Sequence, residues 1–213
     1  MTATTHFTLD LPVLRGTLVR LEPLSPDHAA DLAAAAEEDR STYDWADVPR
    51  AQEIPGYLAA QLARPGLYPY AVVRQADGRA VGSTSYWSPR LWPERDALCA
   101  LEIGWTWLGA SAQRTGINVE AKLLLMTYAF ETLKCARVDL KTDARNERSR
   151  TAIGALGTTF EGILRQWSPS RVPGEEGLLR DSAIFSAVIA EWPEVKAGLE
   201  RRLQQGGRGV TPA

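Results

Sequence analysis

The sequence predicts an α+β (mixed α/β) domain, and three observations predict it. Short segments of alternating apolar and polar residues recur along the chain, as half-buried strands require. Two of them, Tyr70–Arg74 and Ala80–Trp87, flank an Asp77-Gly78 turn and read as an antiparallel hairpin. Two more, Leu98–Leu108 and Arg137–Thr142, are separated by the clearest amphipathic helix in the chain, so they are candidates for parallel neighbours in a βαβ unit. With 213 residues and 45% hydrophobic content, one large core is within reach. A single domain is expected over residues 14–205, with a flexible lead-in over 1–13 and a disordered tail over 206–213.

Taken in order, Thr17–Glu22 alternates as a strand. Ser25 then stands as an N-cap with Pro26 as first helical residue, and the Ala-rich segment to Glu37 has strong helix propensity. Ser41–Pro49 is aromatic but unpatterned. Ile54, Leu58 and Leu62 recur at helical spacing, and Arg64-Pro65-Gly66 closes that second helix. After the hairpin, the prolines and charges of Ser88–Asp96 read as a loop that leads into the Leu98 strand, the third of a meander. Val119, Leu123, Met126, Phe130 and Leu133 then mark a long helix beginning near Val119. Beyond the Arg137 strand, Asn146–Ser149 caps a shorter helix that Gly157 ends. Thr158–Trp167 and Asp181–Ile189 read as strands around a Pro/Gly-rich loop, and Glu194–Leu203 as the last helix.

Composition excludes several function classes. A net charge of -2 and a pI near 5.8 argue against the broad basic surface of a nucleic-acid binder. No apolar run reaches the length of a membrane span and the N-terminus lacks a secretion signal, so a cytoplasmic protein without membrane attachment is expected. Cys99 and Cys135 fit reduced, packed thiols, and with only His6 and His28 present there is no zinc pattern, so no metal is expected.

The loop Gln113-Arg114-Thr115-Gly116-Ile117-Asn118, between a strand and the start of a helix, suggests an anion site. The first turn of a helix leaves N–H groups unpaired and carries partial positive charge, and glycine lets a ligand approach the backbone.

Three stretches carry a family resemblance: Leu101–Leu108, Gln113–Ala121, and Lys141–Arg150 with Leu156-Gly157. With the element order and the Leu14-Arg15-Gly16 opening, the chain resembles the GNAT N-acetyltransferases, and within them the RimJ/RimL-like branch, from about Leu14 to about Ile189. The resemblance implies a mixed, mostly antiparallel sheet splayed between its fourth and fifth strands, the Leu98 and Arg137 strands, with helices on both faces. It implies acetyl-CoA as co-substrate, with its pyrophosphate on the backbone of Gln113, Arg114, Thr115, Gly116, Ile117 and Asn118. The last of these departs from the family's Gly/Ala. It further places Ile103, Trp105 and Trp107 along the pantetheine arm, although alternation would equally make Cys99, Leu101, Ile103, Trp105 and Trp107 one buried face. Asn146 is implied as a second contact to that arm.

Ile153 stands where many relatives carry a tyrosine acid, and the resemblance offers Ser149 in its place. Glu102, an acid among apolar neighbours, is the carboxylate candidate for base, because Lys141 occupies the position of the glutamate some relatives use; an ion pair would account for Glu102 as well. An α-amino group near pKa 7.8 is neutral in about one molecule in seven at pH 7, and a lysine in roughly one in 2,500, so an N-terminal amine asks little of a base. For the acceptor, Tyr43, Asp44, Trp45, Tyr86 and Trp87 are candidates for an aromatic pocket with a carboxylate for an ammonium group, with plain core packing as the other explanation. The expected acceptor is a protein or peptide N-terminus or a small molecule such as an aminoglycoside, a peptide antibiotic or a polyamine, and the expected state a monomer or homodimer. The alternative from another class is an acetyl-CoA-binding regulatory or sensor protein with little turnover.

Overall fold

The computed structural model of the chain describes residues 9–92 and 97–206. Eight strands form one sheet: β1 (Leu14–Arg15), β2 (Val19–Pro23), β3 (Leu67–Arg74), β4 (Ala80–Trp92), β5 (Ala97–Leu108), β6 (Arg137–Asp143), β7 (Thr159–Pro169) and β8 (Leu179–Val188). The helices are α1 (Ala29–Ala36), α2 (Ile54–Ala63), α3 (Ile117–Thr127), α4 (Glu147–Gly154) and α5 (Trp192–Gly206). The sheet order is β1-β2-β3-β4-β5-β6-β8-β7, and every pairing is antiparallel except β5 with β6. The single parallel step is the one that the intervening helix α3 requires, since a parallel neighbour needs a crossover.

The sheet carries a core on each face. On one side Leu101 and Ile103 of β5, Val138 and Leu140 of β6, and Leu125, Met126 and Phe130 pack with Leu199 of α5. On the other, α1 and α2 lay Leu32, Ile54 and Leu58 over Ala71, Val73 and Trp107. Full burial of each Leu, Ile or Phe contributes about 1.5–3 kcal/mol. The face of α3 that meets the sheet is Ile117, Ala121, Lys122, Leu125 and Met126, whereas Val119, Leu123 and Leu124 are only partly buried. The sequence shows a single stripe because α3 is apolar on two sides, one toward the sheet and one toward α5.

Several expectations are corrected. Ser88–Trp92 is not loop but the outer end of β4, admitted by register shifts between Trp87, Arg90 and Leu91 and a left-handed Ser88 (φ 50°). Residues 93–96 of the expected loop lie outside the described residues. Helix α3 starts at Ile117 rather than near Val119 and gives way to a π-turn over Tyr128–Thr132. In the part of the lead-in that is described, Leu9 is buried in the main core and the Asp10 carbonyl accepts from Tyr128 Oη at 3.1 Å. Residues 1–8 and 207–213 lie outside the described residues. Both cysteines are free thiols, and burial pushes Cys135 up to about 12. No described helix is long and apolar enough to cross a membrane.

One contact explains an otherwise mute part of the sequence. The buried Glu120 carboxylate of α3 accepts the N–H groups of Thr17, Leu18 and Val19 at 2.8, 2.6 and 2.8 Å. It thereby ties the β1–β2 turn to the helix. A side chain at Gly16 would come within 2.5 Å of that carboxylate, so the turn needs glycine there.

Candidate active site

Two left-handed residues build the Gln113–Asn118 loop. Arg114 (φ 62°) and Gly116 (φ 89°) turn the chain into the first residue of α3. A Cβ at Gly116 would meet Leu18 Cδ1 at 3.1 Å, in a backbone conformation that already favours glycine. Among the described residues, the N–H groups of Arg114, Thr115, Gly116, Asn118 and Val119 have no protein acceptor, and that of Ile117 reaches Thr115 Oγ1 only at 3.4 Å. The loop therefore presents unpaired donors at a helix start, the arrangement an oxyanion of a phosphate fits. Asn118 adds a buried Oδ1 with no donor among the described residues. Gln113 has a different task. Its Nε2 donates to Thr42 Oγ1 at 3.0 Å and to the Leu108 carbonyl at 2.9 Å, so its side chain braces the loop from behind.

The sheet opens on the strand that leads into this loop. Strands β5 and β6 pair only from Ala100 with Arg137 to Ile103 with Leu140, yet β5 runs on to Leu108 and β6 to Asp143. The separation coincides with a kink at Trp105, whose φ is 53°. This kink also overturns the expected alternation of β5. Leu101 and Ile103 lie in the α3-side core, but after the extra residue Trp107 lies in the α1/α2-side core, with Nε1 donating to Tyr57 Oη at 3.2 Å.

Asn146 caps α4, its Oδ1 accepting the Ser149 N–H at 2.9 Å. The Asn146 Nδ2 and the Oγ of half-buried Ser149 have no partner among the described residues. Arg148 joins this corner to the loop, donating to the Thr42 carbonyl at 2.6 Å and to Gln113 Oε1 at 3.4 Å. Glu102 is ion-paired: Lys141 Nζ lies 2.9 Å from its Oε2, with both side chains largely shielded. Lys141 therefore supplies the charge partner that lets a carboxylate sit mid-strand.

The expected acceptor residues divide. Tyr43 is a core residue whose hydroxyl donates to the Leu108 carbonyl at 3.0 Å, and burial pushes its pKa up to about 12. Tyr86 is fully buried on the α3 side and donates to the Leu125 carbonyl. Both are large aromatics satisfying packing and a backbone carbonyl, so neither lines a pocket. Trp45 and Trp87 remain half-buried, and Asp44 is exposed. Trp87 meets Trp105 edge-on at 6.1 Å between centroids, and the Arg145 guanidinium lies 4.6 Å over Trp45.

Sequence reasoning missed the basic residues around these rings. The guanidinium carbons of Arg64 and Arg171 lie 4.7 and 5.0 Å from the Trp105 centroid. Arg180 of β8 donates to Ser168 Oγ at 3.2 Å, and burial lowers its pKa. It missed Lys122 as well. This lysine is 4% exposed, and Nζ donates to Thr84 Oγ1 at 3.1 Å and Thr106 Oγ1 at 2.7 Å. No carboxylate pairs with it among the described residues, and burial pulls its amine down to about 7. The one available signal was its place on the apolar stripe, three residues after Val119 and four before Met126.

Comparison with known proteins identifies the family. The profile of the acetyltransferase (GNAT) domain matches residues 19–159. The chain is 34% identical to a solved structure described as an acetyltransferase from T. thermophilus, with 92% of this chain and 100% of that one covered and a TM-score of 0.76. It is 28% identical to a GCN5-related N-acetyltransferase from Brucella melitensis, covering 92% and 86%, with a TM-score of 0.78. Mycobacterium smegmatis RimJ, solved in complex with CoA-disulfide, shares the fold at 19% identity, covering 90% of this chain and 93% of that one, with a TM-score of 0.70. A search among curated proteins finds no match. The chain belongs to the GNAT family of acetyl-CoA-dependent acyltransferases.

Proposed function

We propose that the protein is an N-acetyltransferase of RimJ/RimL-like type that passes the acetyl group of acetyl-CoA directly to a primary amine within a ternary complex. The acceptor is the α-amine of a peptide or protein N-terminus, or a small-molecule amine. The observation that carries this reading is the end of β5–β6 pairing at Ile103 and Leu140, on the strand that leads into a loop whose N–H groups lack acceptors. The likeness of fold to RimJ supports the branch. The expected setting is the cytoplasm.

In this reading Arg114, Thr115, Gly116, Asn118 and Val119 receive the pyrophosphate on main-chain donors, and the free edge of β5 past Ile103, with Asn146 Nδ2 opposite, receives the peptide-like arm. Acetyl-CoA supplies an activated thioester. Main-chain donors of β5 stabilise the oxyanion as the amine adds to the carbonyl carbon. Ser149 Oγ, at the first turn of α4, gives a proton to the departing thiolate. Glu102, held by Lys141, orients the incoming ammonium or amine by charge and accepts its proton.

Thermal unfolding with acetyl-CoA, followed by thiol release with a panel of peptide N-termini and small amines, tests the proposal. A rise in midpoint together with amine-dependent thiol release is expected. No shift at saturating acetyl-CoA would sink it, and a shift without release to any amine would make the protein a coenzyme-binding sensor.

A further inference from the structure

We infer that the acceptor side of this site selects an amine that carries a carboxylate nearby, rather than a polycation. The inference rests on the proposed transfer reaction and concerns the face of β5 opposite α3.

The guanidiniums and carboxylates on that face are unequally engaged. Each interior carboxylate is already held. Glu102 pairs with Lys141 at 2.9 Å, Asp143 and Glu175 both pair with Arg145, at 2.8 and 2.7 Å, and Asp139 is bound by Arg90 and Arg137. The arginines nearest Trp105 are not held in the same way. Arg64 has no carboxylate within ion-pair distance among the described residues, and its Nε is buried without an acceptor. Arg171 has only Asp47, 3.9 Å away and largely exposed. Arg180 donates to a serine hydroxyl, while the charges of Asp143, Arg171 and Glu102 all reach it.

These residues come together at the place where transfer must occur. Trp105 is the kink that opens β5 from β6, and Arg64 from the end of α2 and Arg171 from the β7–β8 connection both lie over its ring. Stacking on an indole leaves the guanidinium N–H donors free at its rim, and such a planar fork suits the two oxygens of a carboxylate. An acceptor approaching Glu102 with its amine would therefore place a neighbouring carboxylate among guanidiniums that no buried carboxylate holds among the described residues. An aminoglycoside or a polyamine would bring further ammonium groups to the same arginines and find no free interior carboxylate to receive them.

The test compares thiol release from acetyl-CoA with three peptides of matched α-amine, Ser-Asp-Glu-Phe, Ser-Gly-Gly-Phe and Ser-Lys-Lys-Phe, and with spermidine as a polycation. Glutamate is added to separate a free amino-carboxylate from a peptide source. An acidic peptide or glutamate should exceed the lysine peptide and spermidine by on the order of tenfold or more in kcat/KM, mainly through KM. Arg171→Gln and Arg64→Gln should each cut that preference severalfold while the acetyl-CoA thermal shift is kept, which also shows that the variants fold. Equal or better use of the lysine peptide or spermidine would overturn the inference, as would a preference unchanged in both variants. Should no acceptor turn over, calorimetry of the acidic peptide with coenzyme A-saturated protein decides: binding that weakens in Arg171→Gln supports the inference, and absence of binding overturns it. Loss of the acetyl-CoA shift in the parent protein would instead count against the transfer reaction itself.

Discussion

The two halves of the proposed site are built from different materials. The half proposed for the coenzyme offers main-chain N–H groups, made available by a helix start and by glycine at φ 89°. The half proposed for the acceptor offers side chains, Trp105 with Arg64 and Arg171, brought in from three separated segments. The difference teaches that one half of the proposed site is set locally, by residues adjacent in the chain, and the other by segments far apart in it. A backbone cradle depends on local geometry that few residues dictate, whereas a side-chain mouth changes with every loop that contributes to it.

The comparison breaks most sharply at the anchor of the coenzyme side. Glu120→Ala leaves the N–H groups of Thr17, Leu18 and Val19 without their acceptor, which should cost about 3–5 kcal/mol in a urea titration. Little loss there would mean that the β1–β2 turn finds other partners. Glu120 and Gly16 were both in plain view in the sequence, but nothing in their spacing joins positions about a hundred residues apart. Their relation is a contact, and periodicity carries no information about contacts between distant segments.

Lys122 lies between the two sides, under Thr84 and Thr106. Its folded pKa, about 7, is below the ordinary 10.5. From about pH 7 to pH 10.5 the unfolded chain thus binds a proton that the native chain does not, and stability rises with pH over that window. Below pH 7 both states are protonated and the destabilisation is at its full extent. Lys122→Met should therefore raise stability at pH 7 by roughly 1–4 kcal/mol and flatten the pH dependence between 7 and 10.5. A variant less stable than the parent at pH 7 would show that the amine contributes through its hydroxyl partners instead.

Smaller effects sharpen the division. Gly116→Ala imposes a left-handed conformation on a residue with a Cβ, at about 1–2 kcal/mol, and presses on Leu18. It should weaken acetyl-CoA binding on the order of tenfold by calorimetry while leaving the ratio between acidic and basic acceptors unaltered. A changed ratio would mean that the two sides are coupled. Ser149→Ala is the mildest: it removes one proton donor, so kcat should fall with KM for acetyl-CoA unchanged, and full turnover would take that residue out of the mechanism.

The sequence by itself determined the element order apart from the two-residue β1, the parallel step at α3 and a glycine loop opening that helix. These follow from neighbours in the chain: alternation in β3 and β4, the turn at Asp77-Gly78, the Asn146 cap, and a glycine opening a helix. Tertiary structure decided the rest. It placed Tyr43 and Tyr86 in the core, although as isolated aromatics they read equally well as pocket walls. It introduced the kink at Trp105, which moves Trp107 to the opposite face from Ile103 and could not be seen in an unbroken apolar run. It gave Glu102 to Lys141, and it gathered Arg64, Trp105 and Arg171 at one place. The physical reason is the same in each case. Hydrogen bonding and burial along a helix or strand are set by residues a few positions apart, but the partner of a charge or an aromatic ring is whatever the folded sheet brings beside it.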